Sequence, residues 1–404
     1  MKIFKIIPFF CAFILLGLRE TAANRQLSYK VNPDCQLPQC NNSSIILIHV
    51  KAVGEKDVLH HIWDFSGKPS VMLAVTSPNT SIEIDWDNFI FGMADSVKIN
   101  PRPTYTYSVV LDEIIEFNDE DDKGNLPNNN ANSSYITTID TKDISWRISE
   151  QVNDTDKVHF TVEGGFPESI KKNGTIQITM SAFASYGHEE PLPRLLHSGN
   201  ASQVDIVLNK LTTLYPKSRF GIHLIAASTD DLNATVAVKA RQTLDDEHAP
   251  GVFNVVEVLT PKAVAEDTLG GYLQWRPVVY TSPERDMTNS TESIQYSAPN
   301  LRNPIEALNC TLLYCVFGNL LSEMLVVESN VTFGVAHDGF YKNNYAAWTF
   351  LVGYGHPPVE KFSMLVTLVL SIGLGLPALL IVVGGACIFI RRLSRNNENL
   401  FLGR

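Results

Sequence analysis

The sequence lacks the signatures by which many enzymes are recognised. No HExxH, GxSxG or phosphate-binding GxxxxGK[ST] stretch occurs in its 404 residues. That argues against the zinc-peptidase helix, the serine-hydrolase elbow and the nucleotide loop. Basic charge is in deficit, with 32 Lys and Arg against 43 Asp and Glu, a formal charge of −11. Nucleic-acid binding needs a basic footprint and is excluded on that ground. Cysteine is sparse at six residues. Neither close pair has the CxxC spacing of a zinc knuckle. Between residues 24 and 360 there is no long amphipathic helical pattern and no fixed-period repeat.

What is present begins at the ends. Lys2 and Lys5 precede an apolar run, Ile6 to Leu18, that is too short to span a bilayer. Thr21-Ala22-Ala23 follows with small side chains, so residues 1–23 read as a secretory signal peptide. Met364 to Ile390 carries no charge and is long enough, as a helix, to cross a hydrocarbon core of about 30 Å. Arg391, Arg392 and Arg395 come next, and such enrichment marks the cytosolic side. The expected topology is single-pass type I, with a transmembrane helix over 362–390 and a basic cytosolic tail over 391–404. Within the apolar segment, Gly373, Gly375, Gly384 and Gly385 would let another helix approach closely.

Everything between those ends is expected to be lumenal, and it is dense in Asn-X-Ser/Thr. The acceptors are Asn41, Asn42, Asn79, Asn132, Asn153, Asn173, Asn200, Asn233, Asn289, Asn309 and Asn330. Their confinement to this stretch agrees with the topology and predicts a glycan coat. Asn41 and Asn42 overlap, and Asn309 has Cys310 in its middle position. Cys11 leaves with the signal peptide and Cys387 lies in the apolar segment. Cys35, Cys40, Cys310 and Cys315 remain, an even set that predicts two disulfides in an oxidising compartment. Three pairings are open, of which two local loops, Cys35–Cys40 and Cys310–Cys315, are the simplest.

Period-2 runs dominate the lumenal part. TIQITMSAF (175–183), QVDIVL (203–208) and TVAVKA (235–240) alternate, and IILIHVKAV (45–53) is rich in β-branched residues. The pattern predicts a mostly β ectodomain of antiparallel, sandwich-like lobes. Two stretches read as surface loops, 117–134 and 185–202. The second is the expected boundary between one lobe over 24–190 and another over 191–361.

Three clusters could carry chemistry. His60-His61 sits among apolar residues, where one ring at the core edge and one in solvent is the expected arrangement. His188-Glu189-Glu190 is expected to be a solvated cluster. Asp245-Asp246-Glu247-His248 offers metal-type ligands, but consecutive residues of a strand point to opposite faces. A polar loop, with Arg241 as a nearby partner, is the simpler expectation there. No catalytic residue, metal or cofactor is expected.

LIHVKAVGEKDVLHHIW (47–63), TSPNTSIEIDW (76–86), DDEHAPGVF (245–253), LQWRPVVY (273–280), SNVTFG (329–334), YAAW (345–348) and VGYGHPPVEKFS (352–363) together resemble the glycosylated lysosomal membrane protein family. The resemblance spans most of the ectodomain. It implies a non-catalytic accessory subunit in the lysosomal membrane. The implied partner is a multi-span dipeptide transporter of the major facilitator superfamily, stabilised and shielded from lumenal proteases. Self-association through the ectodomain is implied as well. One departure stands out: the tail RRLSRNNENLFLGR has no tyrosine-based sorting signal. Two other classes compete, a membrane-anchored lumenal hydrolase built on Asp245–His248 and a cell-surface adhesion or receptor protein.

Overall fold

The structure, a computed structural model, describes residues 25–41, 45–127, 135–243, 248–360 and 364–401. The expected signal peptide, Asn42, Asn132 and Asp245–Glu247 lie outside the described residues.

The strands run β1 (Gln26–Val31), β2 (Leu47–Val53), β3 (Val58–Asp64), β4 (Ser70–Thr76), β5 (Ser81–Ile84), β6 (Val97–Asn100), β7 (Tyr105–Asn118) and β8 (Ile136–Asp140). They continue as β9 (Ser145–Asn153), β10 (Lys157–Gly165), β11 (Thr175–Phe183), β12 (Gly187–His188), β13 (Leu196–His197), β14 (Ala201–Asn209), β15 (Ser218–Asp231) and β16 (Ala237–Gln242). The last are β17 (Asn254–Leu259), β18 (Gly270–Trp275), β19 (Val278–Tyr280), β20 (Ser290–Gln295), β21 (Met324–Phe333) and β22 (Tyr345–Gly355).

All the pairings are antiparallel. One sheet runs β1-β2-β3-β4-β7-β15-β21, with β8 on the far half of β7. The other runs β9-β10-β11-β14-β22-β18-β17-β16. β20 joins them, pairing with β19 on one side and β21 on the other. The largest core cluster lies between the sheets and takes Trp63, Leu73 and Leu224 from the first and Phe160, Ile178 and Trp348 from the second. Alternation in the sequence explains which residues enter it. Ile176, Ile178 and Met180 of β11 are buried, as are Val204, Ile206 and Leu208 of β14.

A second cluster covers the outer face of the first sheet. There Ile62, Met72, Val110 and Ile225 meet Trp86, Phe89, Leu312 and Phe317 from short helices. β3 and β4 are therefore buried along their whole length. This corrects the expectation for His60-His61: both rings are inside. His61 bonds Ser202 Oγ at 2.8 Å, and His60 lies between His49 at 2.9 Å and Thr76 at 3.1 Å.

The two-lobe expectation is also corrected. The described residues up to Pro358 form one compact unit. Both sheets draw strands from either side of residue 190; β14 pairs with β22, and β15 with β7. The stretch 185–202 is a strap carrying the small β12–β13 ladder, not a boundary. The second unit begins at Val359 and holds the helix Met364–Phe401. Within it Leu368–Arg392 is long and apolar enough to cross a membrane.

Cys35 and Cys40 are joined, as the simplest pairing requires. Cys310, exposed, and Cys315, buried, stand as separate thiols, so the second local loop is not closed in this structure.

Candidate functional site

Charged residues interrupt the apolar runs of β7 and β15, and the structure shows why. Leu224, Ile222 and Phe220 of β15 face the sandwich interior. The alternate positions, among them Arg219, His223 and Ile225, face outward. Opposite His223, β7 carries an extra residue. Glu113 pairs with His223 and Leu111 with Leu224, leaving Asp112 as a bulge. A bulge re-aims its side chains. Here it turns the Asp112 carboxylate onto the His223 ring, with Oδ2 2.8 Å from Nδ1. On the other flank, Glu328 of β21 lies 3.5 Å from Nε2. Lys68 donates to Asp112 Oδ1 and also pairs with Asp140 at 3.4 Å; Lys142 meets Asp140 at 2.9 Å.

Burial alone would lower the affinity of His223 for a proton. The hydrogen bond to Asp112 and the carboxylates of Asp112, Glu328 and Glu113 outweigh it, so the pKa lies above the ordinary 6.5. Burial alone would raise Asp112, but bonds from His223 and Lys68 hold it below the ordinary 3.8. Asp112, Glu113 and His223 bring potential ligand atoms within 4.8 Å of one another, a set with metal-binding composition. The Lys68 ammonium already occupies Asp112. Within the chain itself, Lys68 supplies a cation to Asp112 Oδ1.

Four residues earlier on β15 the same principle recurs in a drier setting. Arg219 has a side chain only 1% exposed. It donates to Asp119 at 2.6 Å, Asp122 at 2.8 Å, Asp338 at 2.6 Å and the Val335 carbonyl at 2.8 Å. Asp119 in turn accepts from the backbone of Lys123 at 3.1 Å and Gly124 at 2.8 Å. Gly334 has φ +110°, and a Cβ there would lie 2.2 Å from Arg219 Nη1, so this position requires glycine. The acidic stretch expected to be only a surface loop is thus pinned from within. Sequence reasoning missed this clasp; the available signal was an arginine inside an apolar strand.

The remaining charged groups are committed in the same manner. Glu116 accepts from Lys172, from Ser218 Oγ at 2.6 Å and from the Leu214 N–H at 2.6 Å. Arg285 grips both oxygens of Asp205, at 2.9 and 2.6 Å, beside a polar cleft of about 510 Å³ under the strap. His188 and Glu189 are less solvated than expected. His188 bonds the Arg194 carbonyl at 2.7 Å and stacks on His248, with ring centres 3.6 Å apart; Glu189 takes a bond from Lys157. Arg241 pairs with Glu257 at 3.0 Å. Asp64 differs from all of these: it is fully buried, burial pushes its pKa up to about 6, and Ser66, whose N–H donates at 3.0 Å, offsets that only in part.

The glycan acceptors fall into two sets. Asn79, Asn153, Asn173, Asn233 and Asn309 are exposed. Asn200, Asn289 and Asn330 are half-buried. Asn200 accepts from Arg25 at 2.8 Å, and the amide of Asn289 is bonded to Asp286 at 2.9 Å. The hydroxyl that completes a sequon is locked at three sites. Ser202 and Thr332 are fully buried and Thr311 is 1% exposed. Thr311 also caps the helix Leu312–Phe317 and donates to the Leu308 carbonyl at 2.6 Å. Of Asn41 only the backbone, at the end of the helix Pro38–Asn41, is described.

Comparison with known proteins points to a family of glycosylated membrane proteins. The family profile described as "Glycosylated lysosomal membrane protein" matches residues 46–395. The frog Xenopus laevis has a relative named "Glycosylated lysosomal membrane protein A", 26% identical, with 93% of this chain and 91% of the relative aligned. The namesake in Danio rerio is 26% identical over 97% of both chains. The Homo sapiens one is 25% identical over 96% of this chain and 93% of the relative. A solved structure titled "Crystal Structure Analysis of HI1317" overlaps with a TM-score of 0.27 at 8% identity, too little to inform fold or function. With a matching profile over most of its length, the chain belongs to the glycosylated lysosomal membrane protein family.

Proposed function

We propose that this protein is a non-catalytic, type I accessory subunit of the lysosomal membrane. Its ectodomain binds, stabilises and shields from lumenal proteases a multi-span transporter of the major facilitator class that exports dipeptides. The observation that carries the non-catalytic part is the commitment of charge. Among the described residues, Asp112 and Asp140 beside His223, and the three aspartates around Arg219, are already bonded to a cation of the same chain. Catalysis needs a nucleophile, a base and an orienting group converging on free space, and neither cluster offers that.

Shielding needs different properties, and this fold has them. Proteolysis proceeds through locally opened segments. Interleaved sheets, with β3 and β4 buried on both faces, leave few segments that open alone. Exposed acceptors at Asn79, Asn153, Asn173 and Asn233 would add bulk around the perimeter. An apolar helix beside an ectodomain gives two points of attachment, and the second is gained at high effective concentration.

The test is removal of the protein from cells, followed by quantitative proteomics of isolated lysosomes. The expected result is selective loss of one facilitator-type transporter, restored when lumenal proteases are inhibited. Unchanged transporter levels in verified null cells would refute the proposal.

A further inference from the structure

His223 is flanked by two acceptors and no donor. Asp112 faces Nδ1 at 2.8 Å and Glu328 faces Nε2 at 3.5 Å. A neutral imidazole carries one N–H, so it can serve only one of them. Whichever it serves, its remaining lone pair points at the other carboxylate. Glu328, at 3.5 Å, is an ion-pair neighbour of the ring, and only the imidazolium is attracted to carboxylates on both flanks at once.

We propose that His223 is a proton-operated clasp, whose imidazolium ties Asp112 on β7 to Glu328 on β21 across β15 in an acidic lumen and lets Glu328 go when the ring loses its proton.

The charges around it support a switch. Lys68 precedes β4, Asp112 and Glu113 lie on β7, Asp140 ends β8 with Lys142 just beyond it, and Glu328 lies on β21. Without the proton, two lysines face four carboxylates. Protonation of the ring reduces that excess by one charge at its centre. The clasp spans central strands of the sheet, so it acts on a long-range contact: β7 and β21 meet β15 from opposite sides. Side-chain exposure of 17% at His223 and 39% at Glu328 leaves a path for the proton.

The sign can be worked out. His223 has a raised folded pKa, so its contribution is complete below the unfolded value of 6.5 and is lost as pH rises through the folded value. Asp112 has a lowered folded pKa, so its contribution is complete above 3.8 and is lost as pH falls through the folded value. Between those limits both partners are charged. That interval includes the pH of acidic endosomal compartments, about 5–6.

The inference does not depend on which partner the protein has, so its failure would leave the proposed function standing. The test uses the full-length protein in detergent. Unfolding is followed by tryptophan fluorescence for wild type, His223→Gln, Glu328→Gln and the double variant, at about pH 5.5 and about pH 8, values either side of the histidine range. Near pH 5.5 the two single changes should be non-additive, with a coupling of roughly twofold to fivefold in the folded-to-unfolded ratio, as a partly exposed ion pair supplies. Near pH 8 the coupling should vanish. Equal coupling at both values, or none at the lower one, overturns the proposal. Added zinc should not stabilise the wild type near pH 8; zinc-dependent stabilisation abolished by His223→Gln would also overturn it, in favour of a metal site. Should His223→Gln fail to fold, Glu328→Gln alone still decides: its cost must be larger at the lower pH.

Discussion

Arg219 and His223 sit four residues apart on the same face of β15, and each gathers carboxylates from distant parts of the chain. One clasp is permanent and the other conditional. A guanidinium stays charged at any pH a cell reaches. Its three aspartates therefore never lose their counter-charge, and Asp338 is held below the ordinary range despite burial because Arg219 and nearby donors favour its anion. An imidazole is charged only where its neighbours and the medium allow. Carboxylates on both flanks are what set His223 apart from the histidines of β2 and β3. Burial without a carboxylate pushes His49 down to about 4 and His60 and His61 down to about 3. Location in the same sheet thus decides little; the charge of the immediate neighbours decides the proton.

The comparison can be broken most forcefully at Arg219. Replacing Arg219 by Met should leave three carboxylates without a counter-charge and cost about 3–5 kcal/mol, at acid and neutral pH alike. Chemical denaturation of the membrane-solubilised protein would show it, and a loss confined to one pH would contradict the permanent character of that clasp.

Asp64 sharpens the contrast, since no ion pair reaches it among the described residues. Its folded pKa is raised from 3.8 to about 6, so the folded state is disfavoured progressively as pH rises through that interval. Asp64→Asn should therefore stabilise the protein near neutrality by about 1–3 kcal/mol and have little effect near pH 4. Denaturation midpoints at the two pH values check this, and destabilisation at neutrality would mean that the carboxylate has a partner after all.

The β2–β3 histidines pull the opposite way from His223. Their folded pKa values lie below 6.5, so the unfolded chain binds more protons and stability falls as pH drops from about 6.5 towards 4. Replacing His60 by Gln should flatten that acid loss by about 1–2 kcal/mol near pH 5 once the neutral-pH cost of the substitution is subtracted. An unchanged slope of stability against pH would show that His60 is protonated in the fold. For this reason whole-protein stability is a poor readout of the His223 clasp, and coupling between its two partners is a better one.

The smallest effect belongs to Lys142. Its side chain is 58% exposed, and its pair with Asp140 is screened by solvent. Lys142→Ala should cost no more than about 0.5 kcal/mol and less in high salt. A larger cost would place Lys142 inside the clasp and not at its rim.

Strand-level order was legible in the sequence because it is local. Ile176, Ile178 and Met180 announce a buried face by their spacing alone, and the apolar segment near the C-terminus announces itself by length. Both clasps were illegible because their partners are remote. Arg219 meets Asp338 across 119 positions, and His223 meets Asp112 across 111. Alternation predicts which face a residue occupies but not which neighbour meets it there. The two-lobe expectation failed for the same reason: a Pro- and Gly-rich stretch marks the end of an element, whereas β14 finds its partner β22 on the far side of β15 through β21. His60-His61 was misplaced because a strand covered on both faces has no solvent side, and only the second cluster of short helices reveals that cover.

The hydroxyl of Thr311 carries a different kind of information. Asn309 remains open to solvent after folding, while the threonine that completes its acceptor sequence is sealed into a helix cap. A glycosyl-transferring enzyme needs both residues in reach, so it must arrive before the helix closes. The same holds at Asn200 and Asn330, whose partners Ser202 and Thr332 are buried within the sheets. Sugar at these three asparagines is therefore a record of chronology: each occupied site dates its own modification to the time before the surrounding chain folded, while sugar at Asn79 or Asn153 bears no date at all.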